Sequence, residues 1–337
     1  MSETPQRPLY QHWPQLADRY PLIELGMLPT PVDQASDLAN DLQLLTLDIK
    51  RDDLSAADYG GNKIRKLEFL FGDALAAGKS AVLTYGGLGS NHARATALKC
   101  RQLGLQCTVI LTHEPMTAAV QQTLDHHAEL GTRVEIAERY ADVQSIAAQV
   151  IADVGAQHCY EIPFGGSSWV GSLGFVNAAL ELATQVDAGE CAAPDVIYVA
   201  CGTAGTVAGL AIGLELAGLP TRIEALQVTP DSMQPMRLTT RLVTETTDDL
   251  ADAGVPVPTV KAAIGRVRIR NEQLGDGYAD PTPAGREAVD VWSAATGLPM
   301  SLTYTAKAFA GLLADARSGT LAGQRVMFWN TYNSRAL

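Results

Sequence analysis

The sequence has few basic residues relative to acidic ones, few cysteines and no uninterrupted apolar segment long enough to span a membrane. Its 337 residues contain 25 Lys and Arg against 37 Asp and Glu, a formal net charge of -12. That charge opposes binding to the phosphate backbone of a nucleic acid or to an anionic membrane surface. The apolar stretch 196–219 contains Glu215 and several glycines, so we interpret it as strand, loop and buried helix. We therefore expect neither nucleic acid nor membrane as a partner.

Cysteine and histidine are also too sparse and too scattered for common structural sites. The five cysteines are odd in number and form no Cys-x-x-Cys pair, which predicts a reduced, cytoplasmic setting. The N-terminus has no basic, apolar signal segment. The six histidines show neither a His-Glu-x-x-His motif nor mixed Cys/His ligand spacing, so no metal site is expected.

The apolar content, 47%, permits a large core, which suggests two domains or one domain with a sizeable insertion. Apolar strand candidates alternate with helical periods, a pattern typical of an α/β fold whose parallel sheets are covered by helices on both faces. Segment 229–260, rich in Pro, Thr and Asp, is predicted as an irregular surface excursion with some helix. The strand candidates are 81–85, 107–111, 133–137, 196–200, 222–228 and 325–329.

One lysine stands at a turn that suits cofactor chemistry. Gly60 and Gly61 permit backbone angles that other residues resist, Asn62 can cap a helix start, and Lys63 follows. The spacing of the next apolar residues predicts a helix with one apolar face, at Leu67, Leu70, Phe71, Ala74 and Leu75. Taken alone, Lys63 is also interpretable as a solvated lysine of the first helical turn.

Two glycine-rich loops each join a predicted strand to a predicted helix. Segment 85–94 contains Ser90 and Asn91, and its amides at a positive helix terminus can bind a carboxylate. Segment 200–209 has the spacing Gly-x-x-Gly-x-x-x-Gly, which indicates a phosphate-binding loop rather than a dinucleotide site. Either loop alone is also explained by the steric need for glycine at a tight turn.

These segments, in this order along nearly the whole chain, resemble the D-cysteine desulfhydrase and 1-aminocyclopropane-1-carboxylate (ACC) deaminase family of fold-type-II pyridoxal phosphate enzymes. The resemblance implies a two-domain, tryptophan synthase β-like α/β fold with the cofactor pyridoxal 5'-phosphate between the domains. It implies a large domain of residues 1–65 and 171–337 and a small inserted domain of residues 66–170. A small amino-acid substrate and a homodimer are implied as well. The motifs that carry it are 28–32, 50–53, 61–68, 86–94, 162–167, 174–176, 200–209, 277–278 and 304–312.

The same resemblance assigns roles to individual residues. Lys63 matches the Schiff-base lysine, which also acts as a base at the substrate α-carbon. Asn91 matches the family residue beside the hydroxyl group of the cofactor ring. Ser90 matches the family residue near the substrate carboxylate or the second face of the cofactor ring. A Ser-Asn helix cap remains the structural alternative for these two residues. The phosphate is expected to bind to amides and hydroxyls of Gly202, Thr203, Ala204, Gly205 and Thr206.

The expected partner of the cofactor ring nitrogen is Thr331, where the family usually shows His-Thr-Gly-Gly. A neutral hydroxyl leaves that nitrogen mostly unprotonated and favours loss of a β-substituent over transamination. The alternative is that Thr331 merely ends a strand. Tyr332 and Asn333 replace the two family glycines, which puts the substrate pocket in doubt.

A further departure distinguishes the subfamilies. Gly277 fills the position assigned to the glutamate of ACC deaminases, and Leu274 fills that of their upstream tyrosine. Tyr278 matches a tyrosine that faces the substrate, with packing between domains as the alternative. We therefore expect a β-eliminating lyase, with D-cysteine desulfhydration as the leading activity. Alternatives are another β-substituted amino acid, β-replacement, ACC deamination as the less favoured case, or a non-catalytic α/β binding protein.

Overall fold

Two β-sheets, covered by helices, organise the computed structural model, which describes residues 7–334. The six-stranded sheet has the order β1-β2-β10-β7-β8-β9, and only β1 and β2 pair antiparallel within it. The four-stranded sheet, β5-β4-β3-β6, is parallel throughout. The strands of the described range are β1 (Val32–Gln34), β2 (Thr46–Lys50), β3 (Ala81–Gly87), β4 (Gln106–Thr112), β5 (Arg133–Ala137), β6 (Cys159–Ile162), β7 (Val196–Cys201), β8 (Arg222–Gln227), β9 (Val267–Arg270) and β10 (Arg325–Trp329).

Helices occupy most of the remaining described chain. The long central pair, α8 and α9, packs directly together, and its apolar residues form the largest buried cluster. The helices are α1 (Pro8–His12), α2 (Leu16–Arg19), α3 (Ser36–Asp41), α4 (Lys63–Ala76), α5 (Asn91–Leu103), α6 (Ala118–Glu129), α7 (Val143–Val154), α8 (Trp169–Asp187), α9 (Gly205–Leu216), α10 (Pro235–Asp252), α11 (Val260–Gly265), α12 (Pro283–Thr296) and α13 (Thr305–Arg317).

All six predicted strands are present, and the α/β class with parallel sheets is confirmed. Strands β1, β2, β6 and β9 were not predicted. Charged residues interrupt their apolar pattern: β2 buries Asp48 and Lys50, and β9 alternates apolar residues with arginines. A pattern search for apolar runs therefore misses strands whose charged side chains find partners inside the fold.

Over 229–260, the predicted irregular surface excursion with some helix is correct about the helix and wrong about its extent and burial. Helix α10 is 18 residues long and buries Leu242, Val243 and Leu250 against α8 and α9. Its β-branched threonines lower helix propensity, which hid the helix in the sequence. Their hydroxyls bond to carbonyls of the preceding turn, as Thr239 Oγ1 does to Pro235 O at 2.8 Å.

Helix α4 begins at Lys63 as predicted, but it does not have a single apolar face. It is buried on nearly all sides, whereas Leu75, predicted to lie on the apolar face, is 38% exposed. Arg65 donates to Asp52 and to Glu181 at 2.7–3.0 Å. These buried charges anchor the first turn of the helix, two residues beyond Lys63.

The predicted domain division remains a prediction. The strands of the four-stranded sheet lie between residues 81 and 162, inside the segment 66–170 proposed as the small domain. The proposed boundary between residues 65 and 66, however, falls within the continuous helix α4. Among the helices of residues 7–334, none combines the length and apolar character that a bilayer crossing requires.

Candidate active site

A cavity of about 640 Å³ opens where strands of both sheets end. Loops after the carboxyl ends of parallel strands are the usual location of ligand sites in α/β proteins. Nine of the ten residues predicted for the site line this cavity, whereas Gly205 does not. Gly205 instead donates its backbone N–H to Ser167 Oγ at 3.3 Å. The nine are Lys63, Ser90, Asn91, Gly202, Thr203, Ala204, Thr206, Tyr278 and Thr331.

Lys63 is the first residue of α4 and is held by the tight turn before it. A side chain at Gly60 would place its Cβ 1.9 Å from the carbonyl oxygen of Asp53, and Gly61 has φ of 104°. Only glycine fits both positions without rearrangement. Burial disfavours the charged ammonium and lowers the pKa of Lys63 to about 8. The neutral amine, which is the nucleophilic form, is therefore much better populated near neutral pH than for an exposed lysine.

Asn62 does not cap α4, so that expectation is wrong. Its backbone is already helical, and its side chain makes no capping hydrogen bond. The Asn62 amide instead joins two site residues, because Oδ1 accepts from Lys63 Nζ at 2.8 Å and Nδ2 donates to Thr206 Oγ1 at 3.0 Å. The side chain thus sets the distance between the lysine and the predicted phosphate loop.

The predicted phosphate loop has the geometry of an anion site. Ala204 adopts φ of 65°, and α9 starts at the next residue, so backbone N–H groups and the positive helix end face the loop. Thr203 Oγ1 lies 2.7 Å from Ser167 Oγ, and Thr206 holds Asn62. Ser167 thus supports this loop through Thr203 and the backbone N–H of Gly205.

Sequence analysis missed Lys66, whose buried side-chain amine lies beside the same loop. Its Nζ donates to Gly165 O and to Ser167 Oγ, each at 3.1 Å, and no carboxylate of the described residues pairs with it. A Cβ on Gly205 would lie 2.9 Å from this Nζ. Burial, reinforced by the nearby Lys63, lowers the pKa of Lys66 well below its usual value. Lys66 lies three residues after Lys63, which places both lysines on one helix face. This spacing was the one signal in the sequence that pointed to Lys66 as a site residue.

Ser90 and Asn91 occupy the loop after β3. Ser90 is the N-cap of α5, and its Oγ accepts from Ala93 N at 3.2 Å, as the helix-cap alternative expects. Its contact with the substrate stays a prediction. Asn91 Oδ1 accepts from the Tyr59 hydroxyl at 2.7 Å. That bond occupies the amide acceptor and leaves the Nδ2 hydrogens as the donors available to a ligand.

Two tyrosines meet on another wall of the cavity. The hydroxyl groups of Tyr278 and Tyr304 are hydrogen-bonded, and their ring centroids lie 6.1 Å apart. Burial, with a smaller effect of the Glu114 carboxylate, raises the pKa of Tyr278 to about 12, which keeps it protonated. Tyr304 was noted only as part of a motif, since the two tyrosines are 26 residues apart. Lys307 supports the Tyr278 loop by donating to Leu274 O and Gly277 O.

Thr331 follows β10 and reaches the cavity beside the lysine turn. Its carbonyl oxygen accepts from Asn62 N at 3.2 Å. The two residues that replace the family glycines, Tyr332 and Asn333, both line the cavity, and Asn333 Oδ1 also accepts from Gly60 N at 2.9 Å. Asn333 therefore helps to fix the turn that presents Lys63.

Comparison with known proteins agrees with this geometry. Residues 23–331 match the family described as pyridoxal-phosphate dependent enzyme. The chain is 34% identical over 303 residues to the D-cysteine desulfhydrases of Salmonella schwarzengrund (strain CVM19633) and Salmonella newport (strain SL254), with 88% of each chain covered.

Solved structures of other proteins are also similar to this chain. A crystal structure of an ACC deaminase homologue has a TM-score of 0.81 and 29% identity, covering 98% of this chain and 95% of that one. The processed form of threonine deaminase isoform 2 from Solanum lycopersicum has a TM-score of 0.65 at 16% identity, covers 97% of this chain and 90% of that one, and shows the fold alone. The cavity residues fit pyridoxal phosphate, because the buried Lys66 amine, which has no carboxylate partner among the described residues, lies beside the glycine-rich loop at the start of α9, and the Lys63 amine of lowered pKa lines the same cavity.

Proposed function

The chain belongs to the pyridoxal-phosphate dependent enzyme family, and from that premise we propose that it is a β-eliminating lyase for a small amino acid. D-Cysteine is the leading substrate, with water as co-substrate and pyruvate, ammonia and sulfide as products. The D-cysteine desulfhydrases at 34% identity support this substrate. The observation that carries the proposal is a lysine with a pKa of about 8 in one cavity with an anion-binding loop.

The cofactor, when bound, supplies the conjugated ring that withdraws electrons from the substrate α-carbon. Lys66, Thr206 and the amides at the start of α9 would hold its phosphate. Lys63 would carry the cofactor and then, once displaced by the incoming substrate amine, remove the proton from the α-carbon. Its lowered pKa suits a base at neutral pH because the neutral form is accessible.

Three other groups would bind the substrate and guide its protons. The Ser90–Asn91 loop, at the N-terminus of α5, presents amides to the substrate carboxylate. The hydrogen-bonded hydroxyls of Tyr278 and Tyr304 stay protonated and can donate a hydrogen bond to the departing sulfur. Thr331 would offer the ring nitrogen a neutral hydroxyl and no carboxylate.

We also propose that the protein works in the cytoplasm as a homodimer. All five cysteines are free thiols, which suits a reducing compartment. The homodimer rests on the family resemblance, and light scattering of the purified protein tests it.

The activity is tested by measuring sulfide and pyruvate released from D-cysteine and L-cysteine by the cofactor-loaded protein. We expect stoichiometric release from D-cysteine, little from L-cysteine and little ammonia from ACC. Lys63→Ala should abolish release, whereas Lys79→Ala, which changes a half-buried lysine outside the cavity, should retain it. Efficient ACC turnover, or release by Lys63→Ala, contradicts the proposal.

A further inference from the structure

Aromatic residues are concentrated around the cavity. They make up 6% of the chain, yet six of its ten tyrosines and Phe164 line this one space. A free thiol or hydroxyl on the substrate needs no such surface. The cofactor ring would cover part of this aromatic surface, and the rings that reach solvent suit a larger apolar group on the ligand. The six tyrosines are Tyr59, Tyr85, Tyr140, Tyr278, Tyr304 and Tyr332.

Three of these rings form a continuous stack that leads outward. The centroids of Tyr85 and Phe164 are 5.1 Å apart, and those of Phe164 and Tyr140 are 5.8 Å apart. Tyr85 is 3% exposed and Tyr140 is 64% exposed, so the stack runs from the interior to solvent. We call these three residues the aromatic wall. Pro230 and Met233 also line the cavity, from the loop after β8.

Few ionisable acidic or basic side chains line the cavity. Of the described residues that line it, none is Asp, Glu or Arg, and the only basic side chains are Lys63, Lys66 and His92. Lys63 and Lys66 both lie on α4, and the Lys66 amine lies beside the phosphate loop. Burial lowers the pKa of His92 well below its usual value, which keeps this side chain neutral. Near the wall, Lys66 donates to Gly165 O beside Phe164, and Glu161, which does not line the cavity, accepts from the Tyr85 hydroxyl. A charged β-substituent would find no carboxylate or guanidinium among the lining residues.

We propose that the aromatic wall is a subsite for an uncharged aromatic group on the substrate sulfur, so that the enzyme prefers S-aryl or S-benzyl cysteines to cysteine. This inference rests on the proposed β-elimination. The amine and carboxylate of the substrate are held near Lys63 and Ser90, so the β-substituent is the part that can extend toward Tyr140. Aromatic rings favour stacking on such a surface.

The reaction balances without an oxidant or reductant. The α-carbon loses a proton, the Cβ–S bond breaks, and the sulfur keeps the bonding electron pair and takes a proton to leave as a thiol. Water then hydrolyses the remaining three-carbon fragment to pyruvate and ammonia. With S-benzylcysteine the products are phenylmethanethiol, pyruvate and ammonia.

The kinetic test compares kcat/KM for S-benzylcysteine, cysteine and the anionic S-sulfocysteine, all of the preferred enantiomer. We expect the benzyl compound to be the best substrate and the sulfo compound the poorest. Tyr140→Ala should lower the benzyl-to-cysteine ratio of kcat/KM by about two- to tenfold, the range of one aromatic contact. Tyr140→Phe should restore the ratio. Met116→Ala, which removes an exposed side chain outside the cavity, should not change it.

Binding without turnover separates this inference from the proposed function. S-Benzyl-α-methylcysteine has no α-proton to lose, so calorimetry on the cofactor-loaded protein reports its affinity alone. We expect it to bind more tightly than α-methylcysteine, and the difference to shrink in Tyr140→Ala. If cysteine yields pyruvate but the two analogues bind equally, the subsite is wrong and the lyase stands. If no substrate yields pyruvate but the benzyl analogue still binds through Tyr140, the lyase is wrong and the subsite stands.

Discussion

Lys63 and Lys66 lie three residues apart in one helix, yet their surroundings suit them to different tasks. Lys63 bonds to a neutral amide, and its pKa of about 8 leaves roughly a tenth of the amines neutral at pH 7. Lys66 bonds to a carbonyl and a hydroxyl at the phosphate loop, where a bound anion would favour its charged form. Residue type and spacing alone do not separate these roles, because they depend on what each Nζ contacts.

Thr206 gives the first prediction at this scale. Thr206→Val keeps the shape of the side chain but removes a hydroxyl of the phosphate loop, the one that accepts from Asn62 Nδ2. Cofactor binding should weaken by about 1–3 kcal/mol, the cost of leaving a polar group unpaired. Dialysis against a cofactor scavenger, followed by absorbance, measures the loss. Thr240→Val on α10, outside the cavity, is the control, and equal retention by both variants would show that the phosphate site is misplaced.

Tyr59 gives the second prediction at the residue scale. Tyr59→Phe removes the donor to Asn91 Oδ1, so the amide is no longer held with Nδ2 as its free donor. We expect the dissociation constant for pyridoxal phosphate to rise by about two- to tenfold, as for loss of one hydrogen bond. Fluorescence titration of the cofactor-free protein measures it. Tyr160→Phe removes a comparable hydroxyl, bonded to Asp73 away from the cavity, and should leave the constant unchanged.

At the scale of elements, the site depends on how the ends of α4, α5, α9 and β10 converge. The turns before α5 and α9 were predictable because glycine, serine and asparagine there act locally. The role of Asn62 could not be predicted from the sequence, because its partner Thr206 lies 144 residues away along the chain. The pairing of Tyr278 with Tyr304 and the support of Gly60 by Asn333 were likewise hidden. Local backbone signals survive in a sequence, whereas contacts between distant elements exist only once the fold brings them together.

The end of β10 carries a prediction about reaction choice. Thr331→Asp introduces a carboxylate beside the expected position of the ring nitrogen, where a negative charge favours protonation. The stronger electron withdrawal should raise transamination and racemisation relative to elimination. Keto acid, sulfide and amino-acid chirality are measured together, with Thr331→Ser as the control that retains a hydroxyl. An unchanged product ratio in the Asp variant refutes the role given to Thr331.

At the scale of the whole molecule, a buried ionic network joins the six-stranded sheet to α4 and α8. Lys50 on β2 and Arg65 on α4 both bond to Glu181 on α8, and Trp329 Nε1 donates to Asp52 at 2.8 Å. Breaking one member of such a buried group leaves charges without a partner. The network therefore ties correct folding of the core to the position of Lys63.

That network predicts an acid-dependent stability. Arg65 and Lys50 overcome the effect of burial and lower the pKa of Glu181 from 4.5 to about 2. Because the folded-state pKa is depressed, the stabilisation is complete above pH 4.5 and is lost as the pH falls toward 2. Glu181→Gln should lower the free energy of unfolding at pH 7 by about 3–5 kcal/mol and flatten its decline below about pH 4.5. Urea unfolding across pH, with exposed Glu245→Gln as control, checks this, and a parallel decline in parent and variant would contradict it.

The central claim is that Lys63, and not its neighbour Lys66, carries the cofactor. Borohydride reduction of the cofactor-loaded protein makes the lysine attachment permanent, and peptide mass mapping then locates it. Cleavage after Arg65 separates the two lysines, so the assignment is unambiguous. We predict a phosphopyridoxyl group on the peptide that ends Lys63-Ile64-Arg65 and none on the peptide that begins at Lys66. Modification of Lys66 or another lysine instead, or no modified lysine at all, would contradict the account.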